Sequence, residues 1–183
     1  MAKPMTAEQA VFLLNGVCLP ALKVEHRTTR AVLEAVPVDK ADYRPEACAK
    51  SAMELVRHIA AAENRFLKTT IDGVFDTNAA TIPDDVKTPN EIARWYAEQF
   101  EKNFEALTKL TAEQLLKMVD FRGLFQRPAV SFLQLGLNHS IHHRGQLSTY
   151  LRPMGSKVPE IYGESYDSAQ AKQIGASMKT ERL

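Results

Sequence analysis

Asn138-His139-Ser140-Ile141-His142-His143-Arg144-Gly145-Gln146 lies inside a run from about Pro128 to Arg152 that reads as one long helix, stopped by Pro153 and Gly155. His139 and His143 are four residues apart, so they differ by only ~40° around a helix axis. Two imidazoles therefore share one face, one turn apart, where both can bind one ion. Phe132, Leu135, Gln146 and Tyr150 fall on the same side. The pair is therefore expected at the centre of the stripe that faces a bundle interior. His142 falls at the edge of that stripe and is an i, i+3 alternative to His143. A borderline divalent metal needs three or more protein ligands. His58, on an earlier helix, is the best candidate for the third.

The remaining helices announce their starts. Thr6-Ala7-Glu8-Gln9, Ser51-Ala52-Met53-Glu54, Thr88-Pro89-Asn90-Glu91 and Thr111-Ala112-Glu113-Gln114 each fit a capping box. The pattern predicts a first helix over about Ala7 to Ala35, bent near Pro20. A second should run from Ala52 to Ile71 and stop at Asp72-Gly73. A third should cover Pro89 to Lys109, with Ile92, Trp95, Tyr96, Phe100, Phe104 and Leu107 as its stripe. A short helix is expected over Ala112–Met118, then an irregular or briefly extended crossover over Val119–Phe125. Ser168–Met178 is one more short helix. Four long amphipathic helices with no convincing strand pair predict an all-α four-helix bundle. The connections Pro37–Pro45 and Asp76–Lys87 exceed minimal turns, so a long crossover is expected. No boundary interrupts residues 1–183, which read as one domain.

Composition narrows the function. The chain has 23 basic and 22 acidic residues and a formal charge of +1, so no basic field is expected to hold a phosphate backbone and nucleic acid is not an expected partner. Charged residues break the apolar stretches before ~18 residues, so no membrane span is expected. The N-terminus lacks a signal-peptide pattern, which makes the cytoplasm the default location. Cys18 and Cys48 are the only cysteines and read as small hydrophobes, not a disulfide framework.

The segment His139 to Arg152, followed by Gly155 and Val158-Pro159-Glu160-Ile161-Tyr162-Gly163, closely resembles the DinB/YfiT-like metalloenzyme family. Glu54-Leu55-Val56-Arg57-His58-Ile59 is similar to that family's first ligand-bearing helix. The resemblance implies a four-helix bundle with a long crossover, often a homodimer, holding one divalent ion. Carried onto this chain, the ligands it implies are His58, His139 and His143, with nickel or zinc as the metal. His142 matches a frequent family histidine outside that triad. Some members of the family are thiol-dependent S-transferases or isomerases.

Three neutral imidazoles leave an ion's +2 charge uncompensated and a position open, the pattern of a catalytic rather than a closed structural site. Such an ion can activate a small thiol or a water. Three readings follow: a small-thiol-dependent S-transferase, a metal-dependent hydrolase, and a non-catalytic, stress-associated metal-binding protein. Metal-free, structural histidines are the remaining alternative. No general acid or base stands out. Gln146 and Tyr150 share the histidine face. Glu54 is either a partner of His58 or a capping residue, and Glu63 reads as a solvated or interface carboxylate. Arg144 and Arg152 are candidates for an anionic substrate or for the helix dipole.

Overall fold

The structure, a computed structural model, describes residues 3–180. Its helices are α1 (Ala7–Glu34), α2 (Ala52–Asp72), α3 (Pro89–Leu107), α4 (Ala112–Leu116), α5 (Ser131–Leu151) and α6 (Tyr166–Thr180). All four capping boxes form: Thr6, Ser51, Thr88 and Thr111 each accept from the backbone N–H three residues on, and the Glu or Gln there bonds back. Helix α2 stops where Gly73 takes the left-handed conformation, φ 64°.

Pro20 does its work one turn upstream. Leu13–Cys18 is a π-helical segment within α1, and the Leu19 N–H reaches back to the Leu14 carbonyl. Pro20 has no N–H for the carbonyl four residues before it, and the wider turn absorbs that mismatch. By length and composition α1 would also suffice to cross a membrane. In the fold it lies alongside the other helices, with Leu14, Cys18 and Leu22 buried in the core.

The four long helices pack in the cyclic order α1–α3–α2–α5, each touching the next around the ring. Consecutive helices α1 and α2 are therefore diagonal, as are α3 and α5. The connections Ala35–Ser51 and Thr108–Val130 are the ones that cross the bundle. This all-α architecture is the expected one, with the long crossover realised. One apolar cluster gathers Leu55, Ile59, Ile92, Tyr96, Leu147 and Leu151; another gathers Leu14, Leu22, Phe100, Leu107 and Leu133.

The second crossover holds what the sequence reading did not expect, a strand pair. β1 (Met118–Phe121) and β2 (Phe125–Pro128) form an antiparallel hairpin in which Phe121 faces Phe125. Arg122 and Gly123 both have positive φ, and the Gly123 N–H bonds the Asp120 carboxylate at 2.8 Å. Four-residue strands are too short for a period of two to stand out from irregular chain. Because Pro128 pairs in β2, α5 starts at Ser131, three residues later than expected.

Helices α2 and α5 approach closely at Gly136. A Cβ there would lie 2.7 Å from the Phe66 Cβ, closer than packed atoms tolerate. Gly136→Ala is expected to cost about 1–3 kcal/mol in a urea titration, by forcing the two helices apart. An unchanged midpoint would contradict the packing of this seam.

Candidate metal centre

His58 on α2 and His139 and His143 on α5 converge on this seam. Their ring centroids are 4.8 Å apart for His58 and His139, and 4.5 Å for each of the other two pairs. One ring nitrogen from each lies within 4.8 Å of the others. Nitrogens ~2.1 Å from a tetrahedral ion would be about 3.4 Å apart, so drawing the rings in by no more than about 1.4 Å would close the triangle. His142 is exposed and lies beside His143, outside the group.

Two of the three imidazoles are held as bases. Burial, and then the neighbouring histidines, push His58 and His139 down to about 4. His139 Nδ1 is buried without a hydrogen-bond partner among the described residues. His143 donates from Nδ1 to Gln146 Oε1 at 3.0 Å, and in the neutral ring that tautomer leaves the Nε2 lone pair for a metal ion. Gln146 Nε2 in turn donates to the Tyr150 hydroxyl at 3.5 Å. These donors fit a divalent ion: neutral nitrogens, one an orphaned buried atom, one oriented by a neighbouring amide. Gln146→Leu is expected to weaken zinc binding about 10–100-fold in a competition titration, because His143 loses its orienting partner.

Protonation competes with that role. In the unfolded chain both histidines take up protons near their ordinary 6.5, but in the fold only near 4. Between those values the unfolded state binds more protons. Metal-free protein should thus lose stability as pH falls from about 6.5 toward 4. Urea midpoints of chelator-treated protein should show this fall, and His58→Gln/His139→Gln should flatten it. An equal fall in the double variant would place its origin elsewhere.

The two flanks of the centre differ. On one side Phe66 lies 5.8 Å from His139 and stacks with Phe121, which packs on Phe75 and Phe125. The hairpin thus delivers an aromatic wall that the sequence reading missed. Its one signal was the alternation of Val119 and Phe121 around Asp120. On the other side, His58 lines a polar cleft of about 470 Å3 with Lys50, Glu54, Arg57, Arg65 and Asp84. Arg57 and Arg65 donate to the Val86 and Ala79 carbonyls, so they also pin the connection after α2.

Several expectations about neighbouring residues change. The histidines are half-buried at the edge of the inward stripe, not at its centre. Ser140 and Arg144 occupy that centre, 0% and 1% exposed. Arg144 is not available to a substrate. It donates to Glu25 Oε2 at 2.6 Å, to Thr29 at 3.3 Å and to the Tyr162 hydroxyl at 2.8 Å. Arg152 pairs with Asp167 at 3.0 Å. Glu63 is buried, not solvated, and accepts from the Tyr96 hydroxyl at 2.6 Å. Glu54 caps α2 and pairs with Arg44, so it does not orient His58. Cys18 is a buried small hydrophobe, its thiol pushed up to about 11 by burial, whereas Cys48 is exposed.

The sequence profile of the DinB family matches residues 14–179, which include all three histidines and the Tyr162 loop. The chain belongs to the DinB family. It is similar to the uncharacterized protein YjoA of Bacillus subtilis, 33% identical over 145 residues, or 76% of this chain and 90% of that one. Two solved DinB-like structures share its fold with a TM-score of 0.66. The crystal structure of YjoA is 28% identical and covers 80% of this chain and 97% of its own. The Bacillus cereus ATCC 10987 protein is 26% identical and covers 79% and 95%. The DinB resemblance seen in the sequence is thereby established, together with a three-histidine group that could hold a metal ion.

Proposed function

We propose that this DinB protein is a metal-dependent enzyme that transfers a small thiol, with His58, His139 and His143 binding one nickel or zinc ion. The observation carrying this reading is the convergence of three imidazoles with no carboxylate among them. An ion bound by three neutral ligands keeps its full charge and an open position, and so supplies the Lewis acidity that activates a thiol or a water. The chain's own residues do the rest. Gln146 sets the tautomer of His143, the Phe66–Phe121 wall excludes water from one side, and the polar cleft admits substrate from the other. Cys18 is buried in the opposite core cluster with its thiol held protonated, so it is no nucleophile for this centre. That favours a thiol arriving as a co-substrate.

The reading includes a homodimer in the cytoplasm. Supporting the dimer, the uncharged run from Gln9 to Leu22 turns Phe12, 68% exposed, and Val17 toward solvent. Sedimentation velocity should return a species of twice the chain mass.

Cobalt-substituted protein tests the chemistry. Adding a low-molecular-weight thiol should shift its ligand-field spectrum, and His139→Ala should show no such spectrum. Stoichiometric cobalt with no response to any thiol would overturn the transferase reading. Turnover of a generic ester with an ionisation near neutral pH would replace it with a hydrolase.

A further inference from the structure

A concavity larger than the cleft beside His58 lies away from the histidines, on the opposite face of the bundle. The three-histidine group occupies the α2–α5 seam, while the α1–α3 seam holds a cavity of about 590 Å3. Four cationic side chains line it: Lys23, Arg27 and Arg30 from α1 and Arg94 from α3. Two carboxylates, Glu98 and Glu101, oppose them. In a chain with a formal charge of only +1, this is a local concentration of positive charge.

The arrangement is not explained by folding. Lys23 and Arg27 stand one helical turn apart, and Arg30 is three residues further on, so α1 carries like charges that repel. Arg30 is answered by Glu34 at 2.8 Å, outside the cavity. Among the described residues, Arg27 and Arg94 make no ion pair or hydrogen bond within the cavity, and Arg94 interacts electrostatically with Glu91 on its own helix. Lys23 Nζ rests 4.9 Å from the centre of the Phe104 ring, an aromatic rather than an anionic partner. Four cations facing two carboxylates leave an excess of positive charge in a concave site, which favours a ligand that brings the opposite sign.

The floor adds an apolar component. The His26 ring stacks on Phe100 at 3.7 Å with 9° between planes, and Ala97 and Phe104 complete an apolar surface. His26 is 8% exposed, and its Nδ1 is buried without a hydrogen-bond partner among the described residues. Its nearest acid, Glu63 Oε1, is 3.8 Å away, beyond hydrogen-bond range, and Glu63 Oε2 is also unpartnered. Nδ1 and the Glu63 carboxylate face each other in the core, on the inner side of the His26 ring, so the ring offers the cavity its apolar face.

We propose that the α1–α3 cavity is a second binding site, for a small organic anion. Its phosphate or carboxylate group pairs with Arg27 and Arg94, and its apolar body lies against Phe100 and Phe104. An arginine pair suits either headgroup, because each guanidinium offers a planar fork of donors. The volume exceeds what an inorganic anion fills and lies within the usual range of small-molecule sites. The site is independent of the metal-centre reading, since no residue is shared.

Titration calorimetry on the full chain tests this with phenyl phosphate, phenylacetate, inorganic phosphate and phenol. Phenyl phosphate, phenylacetate or both should bind with a dissociation constant of ~1 mM or tighter. Inorganic phosphate and phenol, each lacking half of the ligand, should bind at least tenfold more weakly. R27Q/R94Q, at exposed positions, should melt like the parent protein and lose at least tenfold in affinity for the organic anion. His139→Ala should bind it unchanged, which separates this site from the metal centre. Absence of binding by both organic anions, or binding undiminished in R27Q/R94Q, would overturn the proposal. Inorganic phosphate binding as tightly as phenyl phosphate would overturn its apolar half.

Discussion

Protein carrying His139→Ala should retain less than a tenth of the zinc or nickel that the parent protein holds after gel filtration, while keeping its helical spectrum. The expectation rests on ligand number. Removing one imidazole leaves two protein ligands, His58 and His143, too few to hold the ion against water. The same variant should also lose metal-dependent stabilisation. With free metal at 100 times the dissociation constant, the parent should gain about 2.7 kcal/mol from binding to the folded state alone, and the variant close to none. Mass spectrometry of eluted metal and a pair of thermal scans decide the matter. Equal metal content in parent and variant would rule out His139 as a ligand. A metal-free parent, even after incubation with zinc and nickel, would leave three structural histidines.

The second large effect lies one residue beyond His143. Arg144→Met should cost about 3–5 kcal/mol in a urea titration, because it leaves Glu25 a carboxylate without its buried partner. The pair is unusually deep: the Arg144 side chain is 1% and that of Glu25 12% exposed, with 2.6 Å between them. Tyr162 completes it, accepting from Arg144 and donating to Glu25 at 2.9 Å, which ties the loop after α5 back onto α1. Arg144→Met/Glu25→Gln should recover part of the loss, since removing both charges removes the desolvation cost as well. A single variant as stable as the parent would mean the pair is solvated. Metal retention should persist in the folded fraction of both variants, because neither residue belongs to the histidine group.

The same stretch of α5 shows where reading from sequence stops. Spacing alone puts His139 and His143 on one face, since helical geometry allows nothing else for residues four apart. It does not say which face is deepest. From the sequence, Arg144 is a candidate for an anionic substrate or for the helix dipole, because isolated charge is costly to bury. The fold buries it because Glu25 arrives from α1, 119 residues earlier in the chain. Glu63 escaped for the same reason: its partner Tyr96 comes from another helix. The aromatic wall was illegible for a different reason. Phe121 and Phe125 matter only once a three-residue turn folds them back to back, and strands this short carry too little periodicity to announce themselves.

By itself, the sequence determined what is local. Four capping boxes set the helix starts, Gly73 ended α2, and the apolar stripes required the helices to bundle. The motif around His139 pointed to the family. Each of these depends on neighbours within one or two turns, where backbone geometry alone decides who meets whom. Only the tertiary structure decided that α1 and α2 lie on a diagonal. It alone brought His58 to within 4.8 Å of two histidines some eighty residues away, and placed a basic cavity on the far seam. Those outcomes depend on how helices rotate and pair across the core. That rotation is settled by the sum of many weak packing contacts and a few buried charge pairs, none of which is encoded at one place in the chain.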